Sequence, residues 1–432
     1  MQLSRKQALN VIHNLGESGQ PPKLGASILN VGTEPILKQL RSEYLEMLCL
    51  SDSGDDGSGT CRWVEGDYGN GKTQFLRCFQ EQAWELNYAV AYVELHQSEC
   101  PLDKADSVYS AVARSIQAKP ESPGDLDKCR GVDFTLFQLF DRMFSGVLTG
   151  IEVDPAMRKQ ASDWLNSTFS STPVEESAVR RAAVQFLTAK LDGNDEISQL
   201  AGTFLRGEKT TADQRKKIGI AEAVNAANGF RMLRSLCQLF QRSGLAAGTV
   251  LLFDEARRSL SLMSVRQQKV ACENLLSVIN HCNNGDFPGT VFLYAVMPEF
   301  FTDFAPQYPA FQQRCGTATR IRLNTLQGIS ESDLLRQIGH KVAEIYVLAH
   351  DLETIPASVL AGNLKILSTA CIQRSMESGA RRLMVKTCVQ MLNEGRESGF
   401  VILTPQATER MMEGIKEELR GSDATQVGSE GE

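Results

Sequence analysis

Apolar residues recur along this chain with two different periods, and the places where one gives way to the other mark out its elements. Within Arg5–Leu15, Ala8, Leu9, Ile12 and Leu15 fall at helical spacing. The stretch Gly16–Gly25, with Pro21 and Pro22, ends that pattern. A second helix is expected from Glu34 to Leu48, and the polar, glycine-rich Ser51–Gly59 reads as a flexible loop. Thr60–Glu65 is a short strand candidate. Thr73–Leu86 then places Phe75, Leu76, Phe79, Ala83 and Leu86 on one helical face. Tyr88–Leu95 is β-branched and aromatic enough for a buried strand.

Residues 103–245 read almost wholly as helix, broken at Pro120–Gly124, near Pro173 and around Gly207–Thr211. Strand patterns return at Thr249–Phe253 and Thr290–Val296, with a weaker one at Arg320–Leu323. Ser330–Leu392 is helical again, and the last dozen residues, small and acidic, are expected to form a disordered tail. Strands alternating with helices imply an α/β fold with a parallel sheet. The expected organisation is an N-terminal helical segment (1–50), a first part of the core (51–102) and a helical insertion (103–245). A second core part (246–329), a helical lid (330–395) and a C-terminal extension (396–432) follow.

Composition narrows the class without fixing it. The chain has 432 residues, 42% hydrophobic and 22% charged, which suits a globular protein with a sizeable core. A formal net charge of −7 argues against a surface that coats nucleic acid throughout. The eleven cysteines are scattered singly without a C-x-x-C pair, so neither a zinc nor a redox motif is suggested. No run approaches the ~18 consecutive apolar residues of a membrane helix, and the N-terminus lacks an apolar signal core. A cytoplasmic protein without membrane contact is the expectation.

Chemistry enters at Gly66-Asp67-Tyr68-Gly69-Asn70-Gly71-Lys72-Thr73, which fits G-x-x-x-x-G-K-[ST] without mismatch. Glycines let main-chain N–H groups face the phosphates of ATP, and the helix that follows offers its positive end to the same anion. Lys72 supplies a cation to the β- and γ-oxygens, and the Thr73 hydroxyl takes one Mg²⁺ position. The strand Thr249–Phe253 runs into Asp254 and Glu255. Asp254 is the candidate to hold Mg²⁺ through water, and Glu255 to orient and deprotonate the attacking water. Arg314 and the pair Arg381–Arg382 are candidates for the positive charge that phosphoryl transfer needs near the γ-phosphate. An arginine given by a neighbouring subunit would require assembly. The five histidines show no ligand spacing. Phe134, Phe137, Phe140 and Phe144 fit a core better than a base-stacking platform, and Arg215–Lys217 fits a solvated helix face better than a nucleic-acid contact.

The segments NVGTEPILKQL, VEGDYGNGKTQFLRCFQEQA, VAYVELHQSECPLDKADSVYSAV, LCQLFQRSGLAAGTVLLFDEAR, AVMPEFFTD and GARRLMVKTCVQML, in that order, resemble the ATP-binding proteins of BREX-type phage-defence systems. These form a branch of the AAA+ ATPases near the origin-recognition clade, and the similarity covers most of residues 5–395. The resemblance implies a P-loop NTPase of AAA+ type, with Gly32 and Thr33 near the adenine, Arg314 as an arginine finger and Arg382 as the lid's second-sensor arginine. It implies an ATPase acting in a defence complex, as a homo-oligomer or with other system proteins. DNA is a possible further partner. Two departures stand out. Tyr294, Ala295 and Val296 occupy the strand end where a polar first sensor is usual, and the chain after 395 is short for a winged-helix domain. A nucleotide-gated scaffold with little hydrolysis and an origin-recognition-like DNA-binding ATPase are the alternative functions.

Overall fold

The computed structural model describes residues 3–47, 58–96, 99–121, 125–150, 154–254, 263–324, 328–374 and 379–428. Most of the expected Ser51–Gly59 loop, and Glu255, lie outside them. The strands are β1 (Thr60–Glu65), β2 (Ala89–Glu94), β3 (Ile116–Gln117), β4 (Thr249–Asp254), β5 (Thr290–Val296) and β6 (Arg320–Arg322). The chain divides into two compact units. One holds residues 1–38, 65–81 and 322–432, and the other holds 39–64 and 82–321.

The second unit is built on the sheet, whose order is β3-β2-β4-β5-β1-β6. β4 and β5 are buried at every position and β2 at all but Glu94, which is why their sequences are continuous apolar runs rather than alternating ones. β2, β4 and β5 run parallel, with Ala89 opposite Thr249 and Thr249 opposite Thr290. The Thr249 and Thr290 hydroxyls, 2.9 Å apart in a buried position, satisfy each other where the two strands begin. β3 pairs antiparallel with β2 at the edge. It falls inside the tract expected to be almost wholly helical, because two residues are too few to show a period of two.

Among the described residues, six of the seven helices between Ala105 and Arg242 pack apolar faces into the same core as the sheet, while Ala212–Lys217 buries no side chain. Phe140 and Phe144 meet Trp164 there, with ring centroids 5.9 and 5.6 Å apart, as a core role requires. Phe134, on the same helix, is exposed. Buried charge is paired: the Arg234 guanidinium grips the Glu175 carboxylate at 2.6 and 2.8 Å, and Arg206 bonds Asp133. Lys217 pairs with Glu196 at 2.6 Å on a solvated face. Below β1, Trp63 is enclosed by Tyr294, Phe300, Phe301 and Phe311. That aromatic box anchors the segment leading to Arg314.

The first unit has its own core. The N-terminal helix Arg5–Glu17, capped by Ser4 and Gln7, buries Ala8, Val11, Ile12 and Leu15 against the helices Glu331–His350 and Ala380–Ser398. A further helix, Ala357–Arg374, packs into the same bundle. The acidic C-terminal segment differs from expectation: a helix runs from Pro405 to Gly428 and so covers most of the residues expected to be a disordered tail. The Thr404 hydroxyl accepts from the Ala407 N–H at 3.2 Å, Pro405 suits the first turn, and Met411, Met412 and Ile415 are buried in the core of this unit. Once anchored, the helix continues into a stretch whose composition alone carries no helical signal.

Candidate nucleotide site

β1 delivers the chain to the glycine-rich loop, and the end of that strand is fixed by the Leu323 N–H, which donates to the Glu65 carbonyl at 2.9 Å. Gly69 (φ 72°) and Gly71 (φ 85°) adopt left-handed conformations that a side chain would strain. This lets the chain double back and start the Lys72–Glu85 helix, whose first bond runs from the Phe75 N–H to the Gly71 carbonyl at 2.9 Å. The loop thus ends on a helix N-terminus, where the opening N–H groups and the helix dipole favour an anion. Lys72 folds back over the loop, its Nζ donating to the carbonyls of Gly66 at 2.7 Å and Asp67 at 2.9 Å. Thr73 follows on the same helix, half-buried.

The segment bearing Gly32 and Thr33 belongs to the same unit. Glu81, on the loop helix, accepts from the N–H groups of Ala26 (2.8 Å) and Ser27 (3.1 Å), and Gln74 donates to the Ala26 carbonyl. Gly32 is left-handed (φ 79°), and the buried Thr33 hydroxyl donates to the Asn30 side chain.

Arg381 and Arg382 also reach the loop, each in its own way. Arg382 donates to the Tyr68 hydroxyl and, at 3.0 Å, to the Ser18 carbonyl. Arg381 donates to the loop carbonyl of Asn70 and, at 2.8 Å, to that of Leu323. Burial pulls the Arg381 guanidinium down to a pKa of about 10, so it remains charged at neutral pH. The resemblance favoured Arg382 alone; Arg381 is the one that touches the loop backbone.

In the second unit Asp254 is the buried last residue of β4, and it accepts a hydrogen bond from the Tyr92 hydroxyl. The register explains the contact. Tyr92 lies opposite Leu252, so Asp254, two residues on, is its diagonal neighbour on the same face. Tyr92→Phe is expected to destabilise the protein by about 1.5–3 kcal/mol, the usual range for a hydrogen bond to a charged group. Parental stability in a denaturant titration would count against a structural role for this bond. Arg314 is exposed at the end of the Pro309–Arg314 helix and borders a cavity of about 640 Å³ with Tyr44, Arg62 and Trp63.

The structure therefore gathers the loop, Gly32–Thr33 and Arg381–Arg382 in the first unit, while Asp254 and Arg314 belong to the second. Two residues escaped the sequence reading. Tyr92 carried a usable signal, a hydroxyl inside an apolar strand that needs a partner. Asn324, whose side chain bonds both Asp67 and Asn70, carried none.

The mostly parallel sheet, with a glycine-rich loop closing on a helix N-terminus, makes this an α/β protein compatible with a P-loop fold. The chain belongs to the family described as BREX system ATP-binding protein BrxC/D, which it matches over residues 3–398. That makes it an ATP-binding member of a phage-defence system. Comparison with individually characterised proteins gave no match. No helix among the described residues is long and apolar enough to cross a membrane.

Proposed function

We propose that the chain is an AAA+-type ATPase that hydrolyses Mg²⁺-ATP and uses the cycle to change its contacts within a cytoplasmic defence complex. The observation that carries this reading is the phosphate loop, where two left-handed glycines lead directly into the helix opened by Lys72 and Thr73. Sheet order supports the AAA+ assignment, since β5 lies between the loop strand β1 and the acid-ended β4, as a sensor strand would.

In this reading Gly66–Thr73 cradle the triphosphate, with Gly32 and Thr33 toward the adenine. Thr73 and Asp254 are the proposed Mg²⁺ ligands, Asp254 through water, and their hydroxyl and carboxylate oxygens suit that hard cation. The metal would polarise the γ-phosphoryl group. Glu255 takes the proton of the attacking water, and Arg314 and Arg382 supply positive charge, Arg314 to a neighbouring copy or a partner of the same system. Glu255→Gln is expected to keep ATP binding and slow phosphate release on the order of 100-fold or more, the usual yield of a general base. Undiminished turnover rejects the role.

A second reading, a nucleotide-gated switch with little hydrolysis, is favoured by the end of β5. Tyr294, Ala295 and Val296 are all buried, and the Tyr294 ring stacks on Phe253 at 4.6 Å rather than facing solvent. Burial holds its hydroxyl far above the ordinary tyrosine pKa. Phosphate release measured with and without duplex DNA separates the two readings: sustained multiple turnover supports the ATPase, and a stable ATP complex the switch.

A further inference from the structure

A phosphate cradle works only if its amides already point inward, because ordering them at binding would subtract from affinity. Three of the first six residues of the loop are glycine, the residue that loses most conformational freedom on being fixed. Something outside the loop must therefore hold it. We infer that Asn324 is a positioning residue that braces the first half of the phosphate loop through one side-chain amide; this rests on the reading that the loop binds ATP.

The geometry is specific. Asn324 Oδ1 accepts from the Asp67 N–H at 3.0 Å and from Asn70 Nδ2 at 2.8 Å. Asn324 Nδ2 donates to Asp67 Oδ2 at 2.8 Å. One side chain thus ties a main-chain N–H and two side chains of the loop, using acceptor and donor ends together. The brace stands on firm ground. Leu323, just before it, is fully buried, donates its N–H to the last residue of β1 and accepts from Arg381 through its carbonyl. A Cβ on Gly66 would lie 3.5 Å from Asn324 Oδ1, so the brace sits directly against the start of the loop. The Asp67 amide points at Asn324, so it is not among those the loop offers to phosphate. Asn324 itself need touch no nucleotide.

The amide matters, not only the bulk. In Asn324→Asp the donor facing the Asp67 carboxylate becomes a second carboxylate, and two like charges at hydrogen-bond distance repel. In Asp67→Asn/Asn324→Asp the groups are exchanged: the carboxylate now at position 324 accepts from the main-chain N–H of position 67 and from Asn70, and the new amide at position 67 donates to it. All three bonds can re-form.

The test titrates the full-length protein with a fluorescent ATP analogue and Mg²⁺, and follows hydrogen exchange of the 66–73 amides without nucleotide. N324D is expected to weaken binding about tenfold and to speed loop exchange, with the thermal midpoint close to the parent's. N324A is expected to do the same to a smaller degree. The exchanged double variant is expected to recover most of the affinity and slow loop exchange. Parental loop exchange in both N324D and N324A overturns the inference whether or not nucleotide binds. So does a double variant no better than N324D. A parent that fails to bind the analogue removes the ATP reading itself, while the exchange measurement still judges the brace.

Discussion

Lys72→Ala is expected to lower ATP affinity on the order of 100-fold or more, corresponding to about 2.7 kcal/mol. The ammonium is the only cation that the motif itself provides, and it supplies charge-assisted bonds to oxygens carrying most of the ligand's negative charge. Lys72 also gives bonds to the Gly66 carbonyl, in a buried residue, and to the Asp67 carbonyl, in an exposed one. Water can replace the bond to Asp67 more readily than that to Gly66, so their loss is expected to change the stability of the protein by only about 1 kcal/mol. The two effects should thus separate: isothermal titration reports a large loss while thermal unfolding without nucleotide hardly moves. A variant that binds like the parent would mean that the loop does not hold ATP.

Gly379→Ala is the second large effect. Gly379 precedes the helix Ala380–Ser398 with φ 73° and ψ 129°, a conformation that side chains avoid. A Cβ there would also lie 2.3 Å from the Tyr68 carbonyl oxygen and 2.6 Å from Gly69 Cα, both main-chain atoms of the phosphate loop. Neither strain nor overlap can be relieved by turning a side chain. The start of that helix must back away, carrying Arg381 from the Asn70 carbonyl. The expected cost is about 1–3 kcal/mol of stability, with ATP affinity reduced roughly tenfold. Chemical denaturation and a nucleotide titration on the same preparation check both numbers. Parental affinity would show that this helix's hold on the loop has no bearing on ligand.

What the sequence revealed and what it hid follow one physical distinction. β2, β4 and β5 were legible because central strands buried on both faces must be apolar throughout, and β1 and the loop because the motif is contiguous. β3 was hidden by its length, and the Pro405–Gly428 helix because three buried side chains near its start, not composition, secure it. The same holds at the site. Lys72 and Thr73 announce themselves by spacing, whereas Asn324 acquires its position only when β6 is laid beside a strand far earlier in the chain. Arg381 and Arg382 are adjacent in sequence, and only the direction each side chain takes separates the bond to the loop carbonyl of Asn70 from the bond to the Tyr68 hydroxyl.

The sheet order has a consequence for synthesis. β1 lies between β5 and β6, so the strand that carries the phosphate loop waits, as the polypeptide leaves the ribosome, for residues 290–296 and 320–322. Until then its edges stay open and Trp63 lacks its aromatic partners. Such long-range closure is slow, and nascent chains paused before it are prone to clump. Chaperone supply should therefore govern how much ATP-competent protein a cell accumulates.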